Sequence, residues 1–140
     1  MQSWPLWDQP KHFELGLVLN SVITDGLQPS QIGAIGAHHA GCWECNLADD
    51  SLIWSGGVYD IFGLPRGAKI SRAEAVSLYS DESREVMESL RAHAISHRRG
   101  FTVDVQILPA TAEPRLMRLI AAPIVEGGRV VKLHGFKLAI

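Results

Sequence analysis

The stretch Gly41–Pro65, GCWECNLADDSLIWSGGVYDIFGLP, constrains this chain more than any other, because it joins two strands, a tight turn and a helical turn within one segment. Cys42 to Leu47 and Leu52 to Ser55 read as short strands. Between them stand Asp49 and Asp50, whose short acidic side chains bond nearby backbone and favour turn geometry. Val58 to Phe62 then reads as a short helix.

Downstream, Ser71 to Tyr79 predicts a helical segment in which Ser71 caps and Glu74, at the third position after it, reaches back to the cap. A longer helix, capped by Asp81 or Ser83, runs to about His97 with Val86, Leu90, Ala94 and His97 along one face. From Gly100 the apolar period becomes two: Phe101, Val103, Val105 and Ile107 alternate with Thr102, Asp104 and Gln106. After the turn at 109–114, a second strand sets Met117, Leu119 and Ala121 against Leu116, Arg118 and Ile120. After Gly127-Gly128, a third sets Val131, Leu133 and Gly135 against Lys132, His134 and Phe136. Apolar residues thus fall on both faces, and Leu116, Ile120, Phe136 and Leu138 need a cover. One is available upstream. Past an arm carrying Trp4 and Trp7, the residues Leu15, Val18, Leu19, Val22 and Ile23 form a helical stripe between Pro10 and Gly26. A linker containing Pro29, Gly33 and Gly36 follows. The expected division is 1–39 for arm, helix and linker and 40–140 for the domain proper. The helix can cover its own sheet or that of a second copy in a homodimer.

The run Gly41, Trp43, Glu44, Asn46, Leu47, Asp49, Trp54, Ser55, Tyr59, Ile61, Phe62, Gly63, Leu64 and Pro65 resembles the opening of a PAS domain of the kind found in bacterial sensor proteins. The resemblance covers roughly residues 40 to 140. It implies an α+β fold: a five-stranded antiparallel sheet with short helices on one face, the N-terminal amphipathic helix being assigned to the other. Trp43, Trp54 and Phe62 occupy matched aromatic positions and are expected in the core. Where the family has a His-Pro-Glu-Asp loop, this chain has Tyr79, Ser80, Asp81 and Glu82, and a hairpin that commonly carries Asp-Gly has Thr111-Ala112. Members that drive an attached enzyme commonly finish on Asp-Ile-Thr, whereas this sequence closes on Leu138-Ala139-Ile140. The expectation is therefore a stand-alone, non-catalytic signalling module acting through protein–protein interaction or dimerisation, with a kinase or regulator as the kind of partner. The alternatives are a haem or small-molecule sensor, or the sensory input domain of a histidine-kinase-like pathway.

Composition narrows the partners. A chain of 140 residues, 46% hydrophobic, supports one core. A net charge of −2 gives no broad attraction to nucleic acid or to an anionic membrane. The longest apolar run near the start is Leu17-Val18-Leu19, so no signal peptide or membrane span is expected and a cytoplasmic location is the default. Cys42 and Cys45 are the only cysteines and are expected to be reduced.

Several constellations suggest chemistry. Cys42 and Cys45 with His38 and His39 have zinc-like spacing, but residues three apart on a strand point to opposite faces, which favours packing. His97 is the haem-ligand candidate, since haem-binding PAS domains take an axial ligand from this helix; the Arg98-Arg99 that follows argues for an exposed helix end instead. The Asn-Cys-Arg-Phe-Leu-Gln helix of flavin photosensors is absent, and their flavin-contacting strand positions correspond to Ile107, Met117 and Lys137. No bound cofactor or metal is expected. Nor does a triad, phosphate loop or acid pair appear, so no catalytic residue is assigned. What remains is an apolar cavity whose expected lining is Trp54, Tyr59, Phe62, Val105, Ile107, Met117, Leu119 and Leu133. Lys137 is its odd member, expected near a strand end with its stem packed and its ammonium in water.

Overall fold

The computed structural model describes residues 40–140. These form β1 (Ala40–Asn46), β2 (Ser51–Trp54), α1 (Gly56–Phe62), α2 (Arg72–Ser77), α3 (Asp81–His97), β3 (Phe101–Ile107), β4 (Arg115–Glu126) and β5 (Arg129–Ala139). The strands make one sheet in the order β2-β1-β5-β4-β3, with every neighbouring pair antiparallel. N-terminal strand β1 thus pairs with C-terminal β5, so the sheet closes only when the ends of the described segment meet. The expected helix stripe at Leu15, Val18, Leu19, Val22 and Ile23 lies outside the described residues, as do His38 and His39.

Local chemistry sets the turns. Asn46 Oδ1 accepts from the Ala48 amide and Asp49 Oδ1 from the Ser51 amide, each at 3.0 Å, which closes the β1–β2 hairpin. Gly127 and Gly128 both take positive φ, 58° and 77°, matching the twist of β4 and β5 in a two-residue turn. The predicted capping box at α2 is present: Ser71 Oγ accepts from the Glu74 amide at 3.1 Å and Glu74 Oε1 from the Ser71 amide at 3.3 Å. Helix α3 differs from expectation. Its cap is Ser80, whose Oγ accepts from the Ser83 amide, while Ser83 turns inward and its Oγ accepts from the Gln106 amide at 2.8 Å. This fixes the phase of the helix. Its buried face runs through Ser83, Met87 and Ala94; Val86 and Leu90 are half-buried and His97 is exposed.

The core lies on the helix-covered face and joins Trp43, Trp54, Val58, Ile61 and Phe62 to Val103, Val105, Met117, Leu119 and Leu133. Phe62 stacks on Trp54 with ring centroids 5.1 Å apart. Backbones approach closely at two glycines. A Cβ on Gly57 would stand 1.9 Å from the Ala40 carbonyl oxygen, and one on Gly135 would stand 1.7 Å from that of Ile120. Close seating of α1 on β1, and of β5 on β4, thus requires the missing side chains.

The opposite face is also partly buried. Phe136, Ile120 and Leu138 lie outside the core cluster, yet Phe136 is 0% exposed and the other two are buried. Leu116 departs from the expected covered set, being 53% exposed. It opens β4, opposite Gln106 of edge strand β3 and beside exposed Ile140, away from the patch centred on Phe136.

Candidate functional site

The strand register decides where Lys137 goes. It pairs with Gly41 on β1 and Leu119 on β4, so it stands mid-sheet on the helix-covered face, opposite a residue with no side chain. The ammonium does not reach water as expected. Lys137 is buried, and its Nζ lies among four aromatic rings: Phe62 at 4.9 Å, Trp54 at 5.4 Å, Trp43 at 5.5 Å and Tyr79 at 5.6 Å to the centroids. It donates to the Tyr79 hydroxyl at 3.2 Å. The stem is too short to snorkel out from a central strand.

Burial is the main cause pushing the Lys137 amine down to about 7, and the Arg72 guanidinium acts in the same direction. The ring faces oppose this, since their quadrupoles favour a cation. Burial holds the Tyr79 hydroxyl well above its usual range, so the phenol stays neutral beside the amine. It also raises the Cys45 thiol, against the pull of the Arg91 guanidinium.

Beside this box runs a cavity of about 60 Å³. Its walls are mostly apolar, from Trp43, Trp54, Phe101, Met87, Leu119 and Leu133, and its polar groups are Lys137, Tyr79, Cys45, Arg72 and Arg91. Three basic side chains line it and, among the described residues, no carboxylate does. Arg72 pairs outward with Glu88, and Arg91 with Asp50 at 3.0 Å. The cavity shares Leu52, Trp54 and Arg72 with an open surface groove, which gives it a route to solvent.

Of the residues expected to line a pocket, Trp54, Leu119, Leu133 and Lys137 do so. Phe62, Val105, Ile107 and Met117 are 0% exposed core residues instead, because helices and sheet meet there without a gap. Tyr59 is half-buried and donates to the Ala68 carbonyl at 3.0 Å, outside the cavity. His97 is exposed at the end of α3, its ring stacked on His93 at 4.0 Å and its Nδ1 3.1 Å from the His93 carbonyl oxygen; it does not line the cavity. Cys45 faces the core and Cys42 the opposite side of β1, as alternation requires. Sequence reasoning missed Tyr79, Arg72, Met87 and Arg91 as lining residues. The four-residue spacing of Ser83, Met87 and Arg91 is the signal that was available.

A five-stranded antiparallel sheet in the order β2-β1-β5-β4-β3, with the three helices of the described residues between its second and third strands in sequence, decides the architecture. The fold is a PAS fold. No family model matches the chain, and no curated protein matches it. Solved structures do. The N-terminal domain of a diguanylate cyclase with PAS/PAC sensor from Marinobacter aquaeolei is 17% identical with a TM-score of 0.65, over 71% of this chain and 94% of that one. A sensory box histidine kinase/response regulator from Burkholderia thailandensis is 17% identical with a TM-score of 0.64, over 81% and 85%. An RNA-binding light-oxygen-voltage receptor is 18% identical with a TM-score of 0.64; the match covers 72% of this chain but 29% of that one.

Light-oxygen-voltage neighbours raise the question of a flavin, and the PAS family that of a haem. The cavity beside Lys137 fits neither. Pockets for ligands of that size run to roughly 300–1,000 Å³, whereas this cavity holds about 60 Å³ and a charged side chain in its aromatic box adjoins it. Among the described residues no helix is long and apolar enough to cross a membrane.

Proposed function

We infer that this chain is a non-catalytic PAS signalling module that acts through protein–protein interaction or dimerisation by way of the cover on the sheet face bearing Phe136. The observation that carries this reading is the full burial of Phe136 on a face that the described core does not include. A bare antiparallel sheet leaves such a residue wet, so a cover is required. Segment 10–26, with its stripe of Leu15, Val18, Leu19, Val22 and Ile23, supplies the matching apolar surface, from the same chain or from a second copy in a homodimer. Burying three such side chains is worth about 1.5–3 kcal/mol each before entropy is subtracted. A signalling partner such as a kinase or regulator would then read the position of this segment. Neighbours described as a sensory histidine kinase and a cyclase sensor support that role.

Two acidic residues in the stripe test the idea. Val18→Asp with Val22→Asp should raise amide exchange across β4 and β5 and increase binding of an apolar-surface dye. In sedimentation, a dimer should become a monomer if the segment is shared between copies. Unchanged exchange and sedimentation would show that the stripe covers nothing.

A further inference from the structure

We propose that the cavity beside Lys137 is a binding site for a short-chain aliphatic monocarboxylate of about four carbons. This deepens the signalling reading by naming a ligand class, and because binding is measured on the purified chain, its failure leaves the partner-binding reading standing.

The charge pattern is the first ground. Lys137, Arg72 and Arg91 line one small space with no carboxylate among the described residues of its walls. The two arginines have acidic partners on their outer sides, Glu88 and Asp50. Among the described residues Lys137 Nζ has the neutral Tyr79 hydroxyl as its hydrogen-bond partner, with ring faces and the Cys45 thiol, itself held toward its neutral form by burial, around it. A buried ammonium with a single neutral hydrogen-bond acceptor has unmet capacity, and a buried charge is stabilised chiefly by an opposite charge with satisfied hydrogen bonds. A monoanion supplies that. Its carboxylate can accept from Lys137 Nζ and from the Tyr79 hydroxyl, which then donates outward rather than only accepting.

Shape and wall chemistry select among anions. A water needs about 10–15 Å³ of such space, so about 60 Å³ accommodates four to six non-hydrogen atoms in a row. Walls of Trp43, Trp54, Phe101, Met87 and Leu119 offer an alkyl chain dispersion contacts, whereas the further oxygens of a phosphate or a dicarboxylate would lie largely against carbon or compete with Glu88 and Asp50 for Arg72 and Arg91. The ligand is therefore charged at one end and apolar along its body. Entry runs from the groove that shares Leu52 and Arg72, so Arg72 meets the anion before Lys137 does.

Calorimetric titration of the full chain with sodium butyrate, butyramide and sodium phosphate at neutral pH tests this. Butyrate should bind and raise the melting temperature in proportion to its saturation. Butyramide, of the same shape without charge, and phosphate, charged without an alkyl body, should bind at least about tenfold more weakly. Lys137→Met should lose butyrate binding by the same factor while keeping its fold by circular dichroism. Arg91→Gln, in the cavity wall, should weaken it as well and serves if Lys137→Met does not fold. Equal binding of butyrate and butyramide, preference for phosphate, no butyrate binding at all, or undiminished binding in both variants would each overturn the assignment.

Discussion

Between pH 7 and about pH 9 the protein should become more stable by about 2–3 kcal/mol through Lys137 alone, and Lys137→Met should remove that gain. In the unfolded chain the amine keeps its proton up to 10.5; in the fold burial makes it release the proton at about 7. Between those values the unfolded state binds more protons, so unfolding free energy rises with pH. Below about 7 both states are protonated, and the full penalty of a buried ammonium is present. At about 1.4 kcal/mol per pKa unit, two pH units correspond to the gain stated. Cys42, Cys45 and Tyr79 act oppositely above their ordinary values, since burial raises all three and folding then opposes their ionisation. The comparison of wild type with variant separates Lys137 from them. Near pH 7 the methionine variant should equal or exceed the wild type, because an apolar side chain of similar length has no charge to desolvate. Denaturant unfolding at a series of pH values reads both effects; parallel profiles for the two proteins would mean that the amine is solvated in the folded state.

Phe62→Ala should lower stability by about 3–5 kcal/mol, the range for deleting a fully buried aromatic ring. Phe62 is 0% exposed, stacks on Trp54 at 5.1 Å and is the ring nearest Lys137 Nζ. Its loss opens a cavity at the point where α1, the sheet and the aromatic box meet. Leu116→Ala, at a site 53% exposed, should stay within about 0.5 kcal/mol. Equal shifts in denaturation midpoint for the two variants would contradict this placement of the core.

Local chemistry written in the sequence accounts for the elements themselves. The capping box at Ser71 and Glu74, the Asp49 turn, the Gly127-Gly128 hairpin and the period-two strands act within a few residues, and each is present where it was expected. Inner and outer faces of β4 followed from alternation, so Met117 and Leu119 were assignable to the core. Where a side chain ends was less legible. Ser83 rather than Val86 faces inward on α3 because its hydroxyl meets the amide of Gln106, a partner 23 residues away.

The sequence by itself therefore determined the five strands, their turns, the capping of α2 and the aromatic set Trp43, Trp54 and Phe62. Only the tertiary structure decided that these rings, with Tyr79, close around Lys137, and that Arg72 and Arg91 join it at one cavity. Alternation indicates which face a lysine stands on but carries no information about depth. Depth was set by long-range pairing: β5 is central only because β1, at the other end of the described chain, hydrogen-bonds along it and places Gly41 opposite the amine-bearing residue.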